Sequence, residues 1–129
     1  MTRTANCACG SCQIEVGGDP VMNGICHCDN CRRRTGSVFG WSVYFDDDQV
    51  VARSGEVRTY AIRDEQVRSF CARCGTTLFW TSSFMPGRVG IAGGAFVDPP
   101  LPQPDFTVLY ANRVSWMTLP GHWPGVGPG

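Results

Sequence analysis

Eight cysteines, Cys7, Cys9, Cys12, Cys26, Cys28, Cys31, Cys71 and Cys74, constrain this chain more than any other feature. They form a C-x-C pair followed by Cys12, a C-x-C-x-x-C triplet and a C-x-x-C pair. The opening residues, MTRTANCACG, carry no apolar export signal. No run of about 18 apolar residues is present to span a membrane. These features predict a cytoplasmic, reducing location, where clustered cysteines are metal ligands before they are disulfides. C-x-C spacing is also poor geometry for a bridge.

The sharpest piece is Cys71-Ala72-Arg73-Cys74-Gly75. A C-x-x-C turn followed by glycine lets backbone N–H groups reach the thiolate sulfurs. It offers two ligands of a tetrahedral zinc, and Cys7 and Cys9 are the natural other two. Cys26, Cys28 and Cys31 differ, because they supply three thiolates from one short loop. Three protein ligands with an open fourth position is the pattern of a reactive zinc. Three thiolates on Zn²⁺ leave a net negative charge and a weak Lewis acid, which suits holding an incoming thiol better than activating water. Three alternatives stand beside this reading: a second closed site with Cys12 as its fourth ligand, a disulfide framework, and an iron–sulfur centre.

Composition narrows the function further. The 129 residues suit one domain, expected over residues 1–120, with 121–129 (GHWPGVGPG) as a flexible tail. Lys+Arg and Asp+Glu are each 11, so the net charge is zero and neither nucleic acid nor an anionic membrane is an expected partner. All the basic residues are arginine. Schiff-base chemistry, a Walker-type lysine and pyridoxal phosphate attachment are therefore excluded. His27 and His122 are the two histidines, so a histidine-based metal site or a Ser-His-Asp triad has little to draw on.

The apolar residues come in short runs. Strands are expected at 13–16, 38–45, 57–62, 67–71, 77–81, 88–92 and within 108–117, with a hairpin turn at 63–66. One helical turn is expected at Asp29–Thr35, with Asp29 as its N-cap, arginines at its C-terminal end and Gly36 just beyond. The pattern predicts an all-β, sandwich-like domain with one short helical turn.

Taken together, several motifs resemble one known family. They are Cys7-x-Cys9-Gly10-x-Cys12, Cys26-His27-Cys28-Asp29-Asn30-Cys31-Arg32-Arg33, Thr35-Gly36-Ser37, Phe70-Cys71-x-x-Cys74-Gly75-Thr76-x-Leu78-Phe79 and Gly94-Ala95-Phe96-x-Asp98-Pro99. This set resembles the glutathione-dependent formaldehyde-activating enzymes, also called the centromere protein V family, over nearly the whole chain. The resemblance implies a zinc-stabilised β-tent fold of packed antiparallel sheets. It implies two zinc ions per chain: a structural one on Cys7, Cys9, Cys71 and Cys74, and a substrate-exposed one on Cys26, Cys28 and Cys31. It also implies a carbon–sulfur lyase-type reaction in which glutathione and formaldehyde form S-hydroxymethylglutathione.

Individual residues acquire expected roles. Asp29 is a candidate proton acceptor beside the open site, with helix capping as its plainer role. Arg32, Arg33 and Arg34 offset thiolate charge, and one of the three, with Arg32 and Arg33 foremost, is a candidate partner for a glutathione carboxylate. Trp41 is a candidate pocket wall, as is Trp80. His27, between two ligands, is expected to turn away as a surface or supporting residue, and Cys12 to be a buried, inert thiol. The leading expectation is an enzyme acting on a small thiol and an aldehyde. Its rival is a non-catalytic, zinc-stabilised binding or sensing module.

Overall fold

The structure is a computed structural model, and it describes residues 1–63 and 65–126. Ten strands follow one another along the chain: β1 (Thr2–Asn6), β2 (Gln13–Gly17), β3 (Met22–Cys26), β4 (Gly40–Asp46), β5 (Val50–Ser54), β6 (Val57–Ile62), β7 (Gln66–Cys71), β8 (Thr77–Ser82), β9 (Arg88–Ala92) and β10 (Phe106–Val108). The helix α1 (Asp29–Thr35) joins β3 to β4. Three strands form a small sheet in the order β1-β2-β5, and seven form a large sheet in the order β10-β3-β4-β9-β8-β7-β6. The fold is therefore all-β with two packed sheets and one helix, as the resemblance implies.

Strand alternation assigns the two faces of the large sheet. One face presents Val43 and Phe45 of β4, Val89 and Ile91 of β9, and Phe79 of β8. They are buried with Ala5, Ile14 and Val16 of the small sheet in one hydrophobic core. The opposite face carries a row of directly paired residues, Met22–Tyr44–Gly90–Trp80–Arg68, running across β3, β4, β9, β8 and β7. That second row is the floor of the site described below.

Gly90 is required by that row. Tyr44 and Trp80 flank it, and a Cβ on Gly90 would overlap the Trp80 indole. Gly90→Ala is thus expected to destabilise the protein by about 1–3 kcal/mol, the usual cost of overpacking. Denaturant unfolding measures this, and a variant as stable as the wild type would show that the indole has room to move.

Several expectations need correction. Strands β1, β3 and β5 were not among the expected ones, and the strand expected within 108–117 instead lies at Phe106–Val108. The sheets are not purely antiparallel, because β10 runs parallel to β3, with Phe106 opposite Gly24 and Val108 opposite Cys26. The β10 segment cannot turn directly back onto β3, since most of the domain lies between them in sequence. Within the expected tail, Trp123 is buried and the Thr107 N–H donates to the Pro124 carbonyl at 3.1 Å. Residues 127–129 of that tail lie outside the described residues, as does Asp64 of the expected hairpin turn.

Candidate metal centres and an adjoining cavity

Two hairpin turns, one from each sheet, build the first cysteine cluster. The β1–β2 turn begins with the Cys7 N–H donating to the Cys12 carbonyl at 3.0 Å, and it presents Cys7 and Cys9. The β7–β8 turn is closed by the Cys71 N–H donating to the Thr76 carbonyl at 2.9 Å, and it presents Cys71 and Cys74. The positive φ of Gly75, 81°, is the left-handed conformation that lets this turn fold back on itself. A hydrogen bond from the Ala8 N–H to Thr76 Oγ1, 3.1 Å, ties the two turns together.

The four sulfurs converge within 4.8 Å of one another. Cys7 Sγ lies 3.6 Å from Cys9 Sγ, which lies 3.8 Å from Cys71 Sγ. Four sulfurs at tetrahedral corners, each about 2.3 Å from a zinc, are about 3.8 Å apart. The cluster therefore has the dimensions of a tetrahedral thiolate site. Backbone N–H groups supply supporting bonds to sulfur from Cys12 to Cys7 (3.2 Å) and from Arg73 and Cys74 to Cys71 (3.4 and 3.5 Å). The Ser11 hydroxyl, with these amides, lowers the Cys71 thiol to about 5, and Thr76 lowers Cys74 to about 7. Each shift favours the thiolate that a metal requires.

Cys12 stands behind this cluster. It is fully buried, its thiol donates to the Glu56 carbonyl at 3.1 Å, and burial pushes it up to about 11. It is not among the three cysteines of the second cluster.

The second cluster grows out of α1. Cys28, rather than Asp29, is the N-cap: its backbone is extended and its Sγ accepts from the Cys31 N–H at 3.3 Å. The helix therefore starts one residue earlier than a cap at Asp29 would have it, and Asp29 lies in the acidic first turn. Gly36 closes the far end, as expected, with its N–H donating to the Arg32 carbonyl at 2.7 Å. Seven residues are too few for a stable isolated helix. Packing against β4 holds this one. The helix sets Cys28 and Cys31 beside Cys26 at the end of β3, with the three sulfurs within 4.8 Å and each residue partly exposed. A hydrogen bond from the Cys31 thiol lowers Cys26 to about 6, helped by the Cys28 N–H and the charge of Arg34, and the same bond pushes Cys31 upward.

These three cysteines open into a cavity of about 270 Å³. Its floor is the Met22–Tyr44–Trp80–Arg68 row, and α1 adds Asn30 and Arg34. The Trp80 Nε1–H donates to Tyr44 Oη at 3.2 Å, and burial raises the Tyr44 phenol, keeping it protonated. The structure does not bring Asp29, Arg32, Arg33 or Trp41 to this wall. Asp29 is exposed. Trp41 is one residue out of phase with Ser42 and Tyr44, so it projects from the other face of β4. There its Nε1–H donates to Asn23 Oδ1 at 2.8 Å, and it lines a separate surface cavity.

His27 is not a surface residue but fully buried, set edge-on to Phe39 and Tyr110 at 6.0 and 5.5 Å. Burial, then the charges of Arg113 and Arg32, hold it below the ordinary histidine range, and it faces away from the cavity. The residues missed from sequence were Arg68 and Tyr44, while Arg34 was grouped with Arg32 and Arg33 as a balancing charge and not singled out for substrate. A signal for Arg34 existed, since it follows Cys31 by three residues on a helix and so shares its side.

Two comparisons place this geometry among known proteins. The sequence model of a family described as glutathione-dependent formaldehyde-activating enzyme matches residues 2–112. A crystal structure of a Rhodobacter sphaeroides protein, a structural genomics target, shares the fold with a TM-score of 0.59. It is 22% identical, and the match covers 71% of this chain and 85% of that one.

Proposed function

The chain belongs to the glutathione-dependent formaldehyde-activating enzyme family, and from that premise we propose that it joins a thiol, glutathione, to formaldehyde or a related small aldehyde. The observation that carries this reading is the second cluster: three partly exposed sulfurs on a cavity wall, with no fourth cysteine in the group among the described residues. The first cluster, with four sulfurs at tetrahedral spacing, would hold a structural zinc. A zinc held by Cys26, Cys28 and Cys31 would accept the thiol's sulfur as its fourth ligand and keep it a thiolate at neutral pH.

The chain's own groups then supply the rest. The thiolate sulfur forms a bond to the carbonyl carbon while the carbonyl π pair moves to oxygen. The Tyr44 hydroxyl, protonated and facing the cavity, donates a hydrogen bond to that oxygen. A proton from solvent completes the thiohemiacetal, and the reverse sequence releases thiol and aldehyde. Arg34 and Arg68 offset the negative charge of the sulfurs from two sides.

X-ray absorption on the purified protein tests the reading. The metal of the second cluster is expected to gain one sulfur neighbour when glutathione is added, while the first keeps its four. Four protein sulfurs on both metals before glutathione, with no change after it, would instead favour the non-catalytic binding module. Among the described residues no helix is long and apolar enough to cross a membrane.

A further inference from the structure

Two arginines line the cavity beside its sulfurs. Arg34 and Arg68 come from different elements, α1 and β7, and meet at one side chain. The Arg34 guanidinium lies 4.2 Å from the centre of the Trp80 ring, and Arg68 sits directly opposite Trp80 in the strand register. Neither is neutralised by an acid. The described residues contain two salt bridges, Arg3–Asp19 and Arg88–Asp46, both elsewhere. Beside the charge of the sulfurs, the oxygens that hold the two guanidiniums are neutral. Arg34 Nη2 donates to Ser42 Oγ at 3.4 Å, while Arg68 Nε and Nη2 donate to Gln66 Oε1 at 2.8 Å and Asn30 Oδ1 at 2.6 Å. A guanidinium has five N–H donors, so each keeps donors free.

Two like charges set against one indole repel each other; the sulfurs relieve that through charge alone, and the neutral partners fix the positions without relieving it further. An anion placed between them would remove it. The planar fork of a guanidinium matches a carboxylate, offering two parallel N–H···O bonds, whereas a lone sulfur uses only its charge. Met22, Phe84, Met85, Phe106 and Val108 make the remaining wall largely apolar. The site thus suits a molecule with one carboxylate and a short uncharged body reaching toward the sulfurs.

We infer that Arg34 and Arg68 form a carboxylate subsite in the cavity of Cys26, Cys28 and Cys31, so that one of the two reactants must carry a carboxylate. This rests on the thiol–aldehyde reading above and deepens it. The carboxylate has two sources, the thiol or the aldehyde, and matched pairs of small probes separate them.

Isothermal titration calorimetry on the metal-loaded protein compares 3-mercaptopropionate with 3-mercaptopropanol, which differ only in carboxylate against alcohol. A second pair, glyoxylate against glycolaldehyde, is titrated in the presence of 3-mercaptopropanol. In one pair the carboxylate member should bind at least about tenfold more tightly, as expected for charge-assisted bonds. That preference should fall to near unity in Arg34→Met and in Arg68→Gln. Two variants on separate elements are used because Arg34 also packs on Trp80, and thermal melts report whether each one folds. The wild-type preference requires no variant at all.

No preference in either pair overturns the subsite, as does a preference that survives both substitutions. Equal weakening of the carboxylate and alcohol thiols in the variants also overturns it, because the arginines would then serve only the sulfur. If glutathione and both small thiols leave the second metal unchanged by X-ray absorption, the thiol–aldehyde reading itself fails. Glutathione binding without any carboxylate preference removes only the subsite.

Discussion

Cys74→Ser is expected to leave the domain largely unfolded at room temperature. Its thiol belongs to a cluster that joins the β1–β2 turn of the small sheet to the β7–β8 turn of the large one. Cys7 and Cys71 lie far apart in sequence, so the unfolded chain must lose substantial loop entropy to bring them together. Metal–thiolate bonding at this cluster would offset that loss. Structural zinc contributes on the order of 10 kcal/mol in small zinc-binding peptides, while a whole domain is stable by only about 5–15 kcal/mol. Losing one of four ligands therefore removes a large share of the margin. Circular dichroism melts, paired with metal analysis by mass spectrometry, provide the measurement. A Cys74→Ser protein that melts with the wild type and keeps all its metal would refute a structural role for this cluster. Cys12→Ser is the internal control. Its sulfur stands behind the cluster, so the variant should retain both metals.

Cys28→Ser is expected to do the opposite: lose activity and keep the fold. The substitution separates the two jobs of Cys28. Its sulfur is one of three that could hold the second metal, and it also caps α1 by accepting from the Cys31 N–H. Serine is a good N-cap and a poor zinc ligand, so α1 should survive while the metal is lost. The variant should lose about one metal per chain. Its catalysed exchange between formaldehyde and the hydroxymethyl thiol adduct, followed by NMR, should fall by more than about a hundredfold, the upper range for disturbing even the support of a metal site. Its melting temperature should move by only a few degrees, because this cluster is built from one short stretch of chain and joins no distant elements. A variant that exchanges at the wild-type rate would remove the second cluster from the chemistry.

The contrast between these two clusters was legible in the sequence. Spacing within a C-x-x-C-G turn or a C-x-C-x-x-C loop is local, and local geometry follows from backbone dihedrals that a few residues fix. The strands at 57–62 and 88–92 were legible for the same reason, as was the helix closed by Gly36, each being marked by its own apolar run or turn residue. Strands β1, β3 and β5 were not. Thr2–Asn6 is mostly polar, Met22–Cys26 contains a glycine under the Phe106 ring, and Val50–Ser54 is largely exposed. Each is a strand because a neighbour pairs with it, and such pairing is a property of the folded sheet. The cavity belongs to that same level. Arg68, Trp80, Tyr44 and Met22 come from four strands, and only the register places them in one row. A shift of one residue would turn each of them to the other face, where Trp41 already lies. The sequence by itself thus determined which cysteines stand together and what chemistry three or four thiolates permit. Tertiary structure decided which arginines and which tyrosine face them, because strand order and register are set by burial of the whole core.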